Sequence, residues 1–363
     1  MPPPLRLAVV GLGRIGKIHG LHAHRLGDLG RARLSALVDP DLPRAQQLAA
    51  ELGGDVAAYP SVEDLIAARG ADAAVVSTPT GMHREHSRTL IVSGIRVLLE
   101  KPMTDSLAGD REFTAELNRS APDALMLAFQ RRFDPALMRA KQLLQQGAIG
   151  RAFKIVSTLE DSAPLPDGYD SAGLLYDMAV HNVDEILWLC GERPRAAFAT
   201  ATPLYSHRLT SANEEFDDGF IQLWFSGELS AQIQVSRNHV SGYRVETWIY
   251  GEEGQIHLGP FHQDPHEVVL EVYGRSKPIT VERFLLERYA RPVPEFVDRF
   301  GLAYQAELAH FVDCCLLGKS FGVDQNDGLA AMEVIDAAVG SLLRPDKAPR
   351  VETQAQPFDQ SKL

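Results

Sequence analysis

Val10-Gly11-Leu12-Gly13-Arg14-Ile15-Gly16-Lys17-Ile18-His19 holds a G-x-G-x-x-G run that opens directly after the apolar stretch Leu5–Val10. In a strand–turn–helix setting the first glycine makes the tight turn and the second lets a pyrophosphate reach the backbone. The third lets helix and strand pack closely. Arg14 and Ile15 then start a helix whose free N–H groups and partial positive charge suit a phosphate. Downstream, Arg33-Leu34-Ser35-Ala36-Leu37-Val38-Asp39 reads as a second strand ending in the acid expected to meet a ribose hydroxyl. Gly11, Gly13, Arg14, Ile15, Gly16 and Asp39 are therefore expected to bind a dinucleotide. Asp39 would repel a 2′-phosphate and Pro40 follows it, so NAD is expected over NADP, with Arg44 the one nearby cation against that choice.

Working outward, apolar runs at 5–10, 33–38, 72–76, 95–99 and 124–129 are near-continuous, as buried parallel strands require. Helical patterns lie between them at about 14–26, 41–52, 61–69, 82–93 and 106–119, with Ser61 and Ser106 as caps. This is the pattern of an α/β Rossmann domain, expected over 1–129. After about residue 150 the segments 152–160, 195–202, 218–226, 229–237, 244–250 and 267–273 alternate polar and apolar residues. They predict a large, open, mainly antiparallel sheet with one wet face, inside an α+β domain spanning 130–345. Two late helices are expected over 302–317 and 326–343, before a polar tail at 346–363.

The chain of 363 residues carries a net charge of −12 and no Lys/Arg cluster, which argues against a nucleic-acid surface. No stretch reaches the ~18–20 apolar residues of a membrane helix, and the N-terminus reads without a leader, so a cytoplasmic location is expected. Cys190, Cys314 and Cys315 lack metal-ligand spacing and read as buried thiols. On a helix His19 and His22 share a face while His24 does not; with no carboxylate or cysteine beside them, surface or capping roles are expected and no metal.

Two further elements bear on chemistry. Strand 95–99 leads into Glu100-Lys101-Pro102, and in such a fold the carboxyl end of a strand faces the cofactor crevice. A lysine there can polarise a reacting oxygen. In a helix over 173–190, spacings of four and three put Asp177, His181 and Asp184 on one face, opposite an apolar one. A histidine oriented by a carboxylate suits proton abstraction from an alcohol.

Gly11-x-Gly13-x-x-Gly16, Ser77-Thr78-Pro79-Thr80-x-x-His83, Glu100-Lys101-Pro102 and Asp177-x-x-x-His181 resemble, in order and spacing, the Gfo/Idh/MocA family of oxidoreductases over essentially the whole chain. Phe129-Gln130-Arg131-Arg132-Phe133-Asp134-Pro135 looks most like its inositol-oxidising branch. The resemblance implies NAD-dependent oxidation of a secondary alcohol of a cyclic polyol or sugar, myo-inositol to its 2-keto form first among them. Lys101, Asp177 and His181 would be the catalytic triad, with His181 as base. Thr78, Pro79, His83, Glu100 and Lys101 would lie along the cofactor. Arg131, Asp184 and Tyr243, with the triad, would meet substrate hydroxyls. It further implies a homodimer or homotetramer through the C-terminal sheet. Gln130 and Asp161-Ser162-Ala163-Pro164 depart from the branch and leave the substrate open. A non-catalytic NAD- or sugar-sensing regulator and a redox-assisted glycoside hydrolase are the rival readings of the same scaffold.

Overall fold

The computed structural model describes residues 4–28, 30–53, 55–162, 172–203, 216–261, 266–275, 278–289 and 292–342. The expected tail at 346–363, and Ala163-Pro164, lie outside the described residues.

Among the described residues two sheets form. The first is six-stranded and parallel: β1 (Leu5–Val10), β2 (Ala32–Val38), β3 (Ala57–Tyr59), β4 (Ala73–Val76), β5 (Arg96–Glu100) and β6 (Leu125–Ala128), in the order β3-β2-β1-β4-β5-β6. Helices α1 (Arg14–Asp28), α2 (Leu42–Leu52), α3 (Val62–Ala67), α4 (His83–Val92) and α5 (Leu107–Ser120) connect them. The centre of this sheet is buried on both sides: Leu7, Val9, Val75, Val97 and Leu99 are solvent-inaccessible. That is why their stretches read as unbroken apolar runs. Asp41, Ser61 and Ser106 cap α2, α3 and α5 by accepting from the third helical N–H. Strand order reverses between β1 and β4, and ligands of open α/β sheets bind at such a switch point.

The second sheet is eight-stranded, in the order β14-β13-β12-β11-β7-β10-β9-β8. Its strands are β7 (Ala152–Glu160), β8 (Ala196–Thr202), β9 (Asp218–Trp224), β10 (Ser230–Ser236), β11 (Arg244–Gly251), β12 (Gln255–Leu258), β13 (Glu267–Tyr273) and β14 (Pro278–Leu285). Its pairs are antiparallel except β7 with β10, which run parallel with Glu160 opposite Ser236. Alternation decides its faces. On β9 and β10, Ile221, Leu223, Ala231 and Ile233 point to the core, while Phe220 and Trp224 stay over 40% exposed. The core face is covered by α6 (Pro135–Gln145), α7 (Val180–Cys190) and α9 (Gln325–Gly340), and the other face is open. Helix α8 (Glu295–Leu317) packs along α1 and ties the second layer to the first.

Strands β3, β12 and β14 and helix α6 were not expected from periodicity. The first two span three and four residues, too short to show a period. The start of β14 is a proline, acceptable there because it is an edge strand. Helix α6 is announced by Asp134-Pro135, whose carboxylate accepts from Leu137 N at 3.0 Å. Of the cysteines only Cys314 is buried; Cys190 and Cys315 are half-buried, and all three are free thiols.

Candidate active site

The site forms where the carboxyl ends of β1, β4 and β5 meet the turn before α7. Gly11 has φ +86°, and a Cβ there would fall 2.8 Å from Ser77 and Thr78 backbone atoms, so β1 and β4 touch at their ends only because this residue is glycine. A Cβ on Gly16 would fall 1.9 Å from Gly11 O, which forces the helix–strand contact to be bare. A Cβ on Gly13 would meet nothing within 4 Å, which leaves its backbone open to a ligand. Helix α1 begins at Arg14 with no acid in its first turn, so its leading N–H groups keep their positive end unopposed. Thr78 Oγ1 is buried without a hydrogen-bond partner beside this turn. An open glycine, an unopposed helix start and an unsatisfied hydroxyl together fit a dinucleotide phosphate.

Asp39 is almost buried and already holds two backbone donors. Its Oδ2 accepts from Leu12 N at 2.8 Å and its Oδ1 from Asp41 N at 2.9 Å. It therefore braces the glycine-rich turn as well as presenting an acid at the end of β2. Arg44 Nη1 approaches both carboxylate oxygens at 3.4 and 3.5 Å. A partly exposed cation thus sits directly on the acid taken to exclude a 2′-phosphate.

His83 is buried, with Nε2 2.8 Å from Thr78 O and Nδ1 2.8 Å from Pro102 O. It ties the turn after β4 to the turn after β5, so it forms the wall of the crevice. Burial lowers its pKa, and the two carbonyls only partly restore it. Pro79 leads the short 3₁₀ turn Thr80–Met82 between them. The Lys101–Pro102 peptide is cis.

Glu100 and His19 correct one expectation. His19 and His22 are neither surface nor capping residues but fully buried, on the face of α1 turned to α8. His19 Nε2 lies 2.7 Å from Glu100 Oε1, and its ring meets Tyr304 edge-on at 5.8 Å. His22 has no partner on either nitrogen, and burial pushes its pKa down to about 3. The apolar periodicity of α1 was legible, but a histidine counts as polar on any such scale, so its burial was not.

Across the crevice, the turn Leu175–Ala179 is a π-helix and α7 continues it. Lys101 Nζ donates to Asp177 Oδ1 at 2.9 Å and to Asp177 O at 3.1 Å. Arg237 Nη2 donates to Asp177 Oδ2 at 3.1 Å. Burial alone would raise the Asp177 carboxyl; the Lys101 ammonium and Arg237 guanidinium more than reverse that and hold it well below the usual carboxylate range. His181 follows four residues on. Burial, with Lys101 and Arg131 nearby, keeps its pKa well below the ordinary value, and Asp177 opposes this only in part. Its Nδ1 is buried with no hydrogen-bond partner among the described residues. The structure thus brings Lys101, Asp177 and His181 together, as a neutral imidazole beside an ion pair.

The remaining three substrate candidates fall differently. Arg131 lies in the 3₁₀ turn Gln130–Phe133, is 1% exposed, and gives Nη1 to Glu185 Oε2 at 2.8 Å. Its Nε and Nη2 are buried without partners among the described residues. Tyr243 is half-buried before β11; burial and the nearby Asp161 carboxylate push its hydroxyl pKa up. Asp184 is 1% exposed and is gripped by Arg132 through Nε at 3.0 Å and Nη2 at 2.6 Å. Burial raises the Asp184 carboxyl to about 6 against the pull of Arg132.

Sequence reasoning missed Arg237, Asp161 and Glu185. Asp161 Oδ2 takes Arg237 Nη1 at 3.3 Å, and Glu185 also accepts from Ser157 and Thr247 hydroxyls. None of the three belongs to a short motif. Among the described residues no group of three or more His, Cys, Asp or Glu is placed to hold a metal, and no helix is long and apolar enough to cross a membrane.

Comparison with known proteins places this geometry. Residues 5–128 match an oxidoreductase family described as having an NAD-binding Rossmann fold, and residues 137–257 match the GFO/IDH/MocA C-terminal domain. The chain is 29% identical to inositol 2-dehydrogenase of Rhizobium meliloti (strain 1021), covering 93% of this chain and 97% of that one. It is 30% identical to inositol 2-dehydrogenase 2 of Saccharopolyspora erythraea, covering 97% of each. The structure of scyllo-inositol dehydrogenase from Lactobacillus casei with bound NAD(H) and scyllo-inositol superposes with a TM-score of 0.77 at 25% identity, covering 93% of this chain and 97% of that one. With matches over both layers and a glycine-rich cradle that fits the dinucleotide, the chain belongs to the Gfo/Idh/MocA family of NAD-binding oxidoreductases.

Proposed function

We propose that this protein oxidises one secondary hydroxyl of a cyclic polyol to a ketone with NAD as acceptor, and that myo-inositol is the first substrate to try. The observation that carries this reading is the Lys101–Asp177 pair, 2.9 Å apart beside an unbonded His181 nitrogen at the carboxyl end of β5. The names of the relatives, inositol and scyllo-inositol 2-dehydrogenases, support the polyol.

The division of labour follows from the electrostatics. His181 is neutral at neutral pH, so it can accept the hydroxyl proton as the base. Lys101, held by Asp177, donates a hydrogen bond to the same oxygen and stabilises negative charge as it develops there. NAD, when bound, would supply the acceptor for the hydride leaving that carbon. Gly11, Gly13, Arg14, Ile15 and Gly16 seat its pyrophosphate, Asp39 its adenosine ribose, and Thr78, Pro79 and Glu100 line the crevice, with His83 behind them. Arg131 and Tyr243 present polar groups for the ring hydroxyls. Asp184, held by Arg132 beside Arg131, joins them as a third group proposed to meet the substrate. The exposed sheet face carrying Phe220 and Trp224 is the surface we assign to a homodimer or homotetramer.

The test is NADH formation at 340 nm across inositols, aldoses and sugar acids, with NAD and with NADP. Turnover with an inositol is expected. NAD binding with silence across the whole panel would overturn the dehydrogenase and point to a sensor.

A further inference from the structure

Strands β7 and β10 are parallel neighbours, with Glu160 opposite Ser236 at their shared carboxyl ends. The next residue of each, Asp161 and Arg237, therefore leaves the sheet at the same place. Asp161 N donates to Ser236 O at 2.8 Å, and Arg237 N to Asp217 O at 2.9 Å, so both backbones are pinned. From there the Arg237 guanidinium, only 3% exposed, reaches Asp161 Oδ2 at 3.3 Å with one nitrogen and Asp177 Oδ2 at 3.1 Å with another. Asp177 gives its other oxygen to Lys101 at 2.9 Å. Four charged side chains thus alternate in sign from the sheet to the reacting position: Asp161, Arg237, Asp177, Lys101.

Lys101 must point at a substrate oxygen, and it is oriented by Asp177. A carboxylate bonded through one oxygen alone can swing about its Cβ–Cγ bond; one bonded through both oxygens cannot. Building on the reading of Lys101, Asp177 and His181 as catalytic, we infer that Arg237 is a positioning residue for this reaction, fixing Asp177 by its second oxygen while Asp161 anchors Arg237 from the far side.

The chain also sets the field at His181. With Asp161 ionised, the four groups carry two charges of each sign. With Asp161 protonated, the cations outnumber the anions and an imidazolium at His181 is disfavoured. Burial pushes Asp161 up to about 6, Arg237 pulls it back, Asp177 and Glu295 push it further up, and Arg14 opposes them. The other neighbours are Tyr243, whose pKa Asp161 raises, and His239, whose N–H donates to Asp161 O at 2.9 Å. A fall in kcat/KM below pH about 6 is assigned to Asp161 rather than to His181, which titrates well below its ordinary value; Asp184, raised to a similar value, would keep its limb in Asp161→Asn.

The experiment compares wild type with Arg237→Met, Arg237→Lys and Asp161→Asn, using NAD and the inositol that wild type turns over. Arg237→Met is expected to lower kcat by at least ~10-fold with a smaller change in KM, and Arg237→Lys to recover part of it, the scale of a misplaced catalytic group. Asp161→Asn is expected to lack the limb near pH 6 and to meet the wild-type rate below it. A wild-type kcat in Arg237→Met, or a retained limb in Asp161→Asn, overturns the inference; should Arg237→Met not fold, the Asp161→Asn profile decides. If wild type turns over no inositol, the catalytic reading fails separately. The rate of Lys101 acetylation by acetic anhydride, followed by mass spectrometry in the NAD-loaded protein, then tests the linkage without substrate. Removing the guanidinium takes a cation away from Asp177, strengthens its hold on the Lys101 ammonium and should slow acetylation roughly 3- to 10-fold near pH 8, the effect of up to about one pKa unit. Equal rates would overturn it.

Discussion

Lys101 Nζ meets Asp177 Oδ1 at 2.9 Å although 76 residues separate them, and each side chain is only 16% exposed. The pair spans the crevice between the parallel sheet and the turn before α7. Its geometry holds Lys101 where the proposed mechanism needs a cation beside the substrate oxygen.

Lys101→Ala should therefore lower kcat by at least ~10²-fold, the scale of losing a positioned electrostatic partner. NAD affinity should barely move, because the glycine-rich turn is untouched. Steady-state rates beside a fluorescence titration with NAD check both halves. A preserved kcat would remove Lys101 from the mechanism.

Asp39 has a double task, and its removal should show both. Asp39→Ala deprives Leu12 and Asp41 amides of an acceptor, which costs about 1–3 kcal/mol of stability. It should also weaken NAD and improve NADP relative to it, since Arg44 loses the buried acid and keeps the exposed Asp41 at 3.2 Å. Adding Arg44→Ala should abolish the NADP gain. Cofactor selectivity unchanged in the single variant would mean that Asp39 is only a brace.

The Arg132–Asp184 pair is buried and bidentate, with Asp327 adding a third contact at 2.9 Å. Arg132→Met would strand a buried carboxylate already raised to about 6, at a cost of about 3–5 kcal/mol. Urea unfolding measures this. The double variant with Asp184→Asn should recover a good part of the loss. A single variant as stable as wild type would show that the pair contributes nothing.

His22 makes the protein sensitive to acid. Its pKa is depressed to about 3 in the folded state, against about 6.5 when unfolded, so its stabilising contribution is complete above 6.5 and lost as pH falls toward 3. Between pH 7 and 4 that loss amounts to about 3 kcal/mol. His22→Leu removes two unpartnered nitrogens and should flatten this part of the stability profile. Parallel profiles for variant and wild type would assign the acid sensitivity elsewhere.

Much of this protein is written locally. A glycine-rich turn after an apolar run, four further buried strands and an acid at the end of β2 determine a Rossmann layer, because strand burial and turn geometry act over a few residues. The lysine after β5 and the Asp-x-x-x-His spacing likewise mark the chemistry, since both lie within a single element. The strands β3 and β12 are too short to carry a period, and a buried histidine such as His22 looks polar in any pattern.

Tertiary structure alone decided the partners. Arg237 reaches Asp177 because β7 and β10 are parallel neighbours within one sheet, a long-range pairing that no nearby residue announces. Asp184 likewise finds Arg132, 52 residues away in sequence, only in the folded layers. Charged side chains buried at such distances in sequence must find opposite charges or donors wherever the fold brings them, and that choice exists only once the layers have closed.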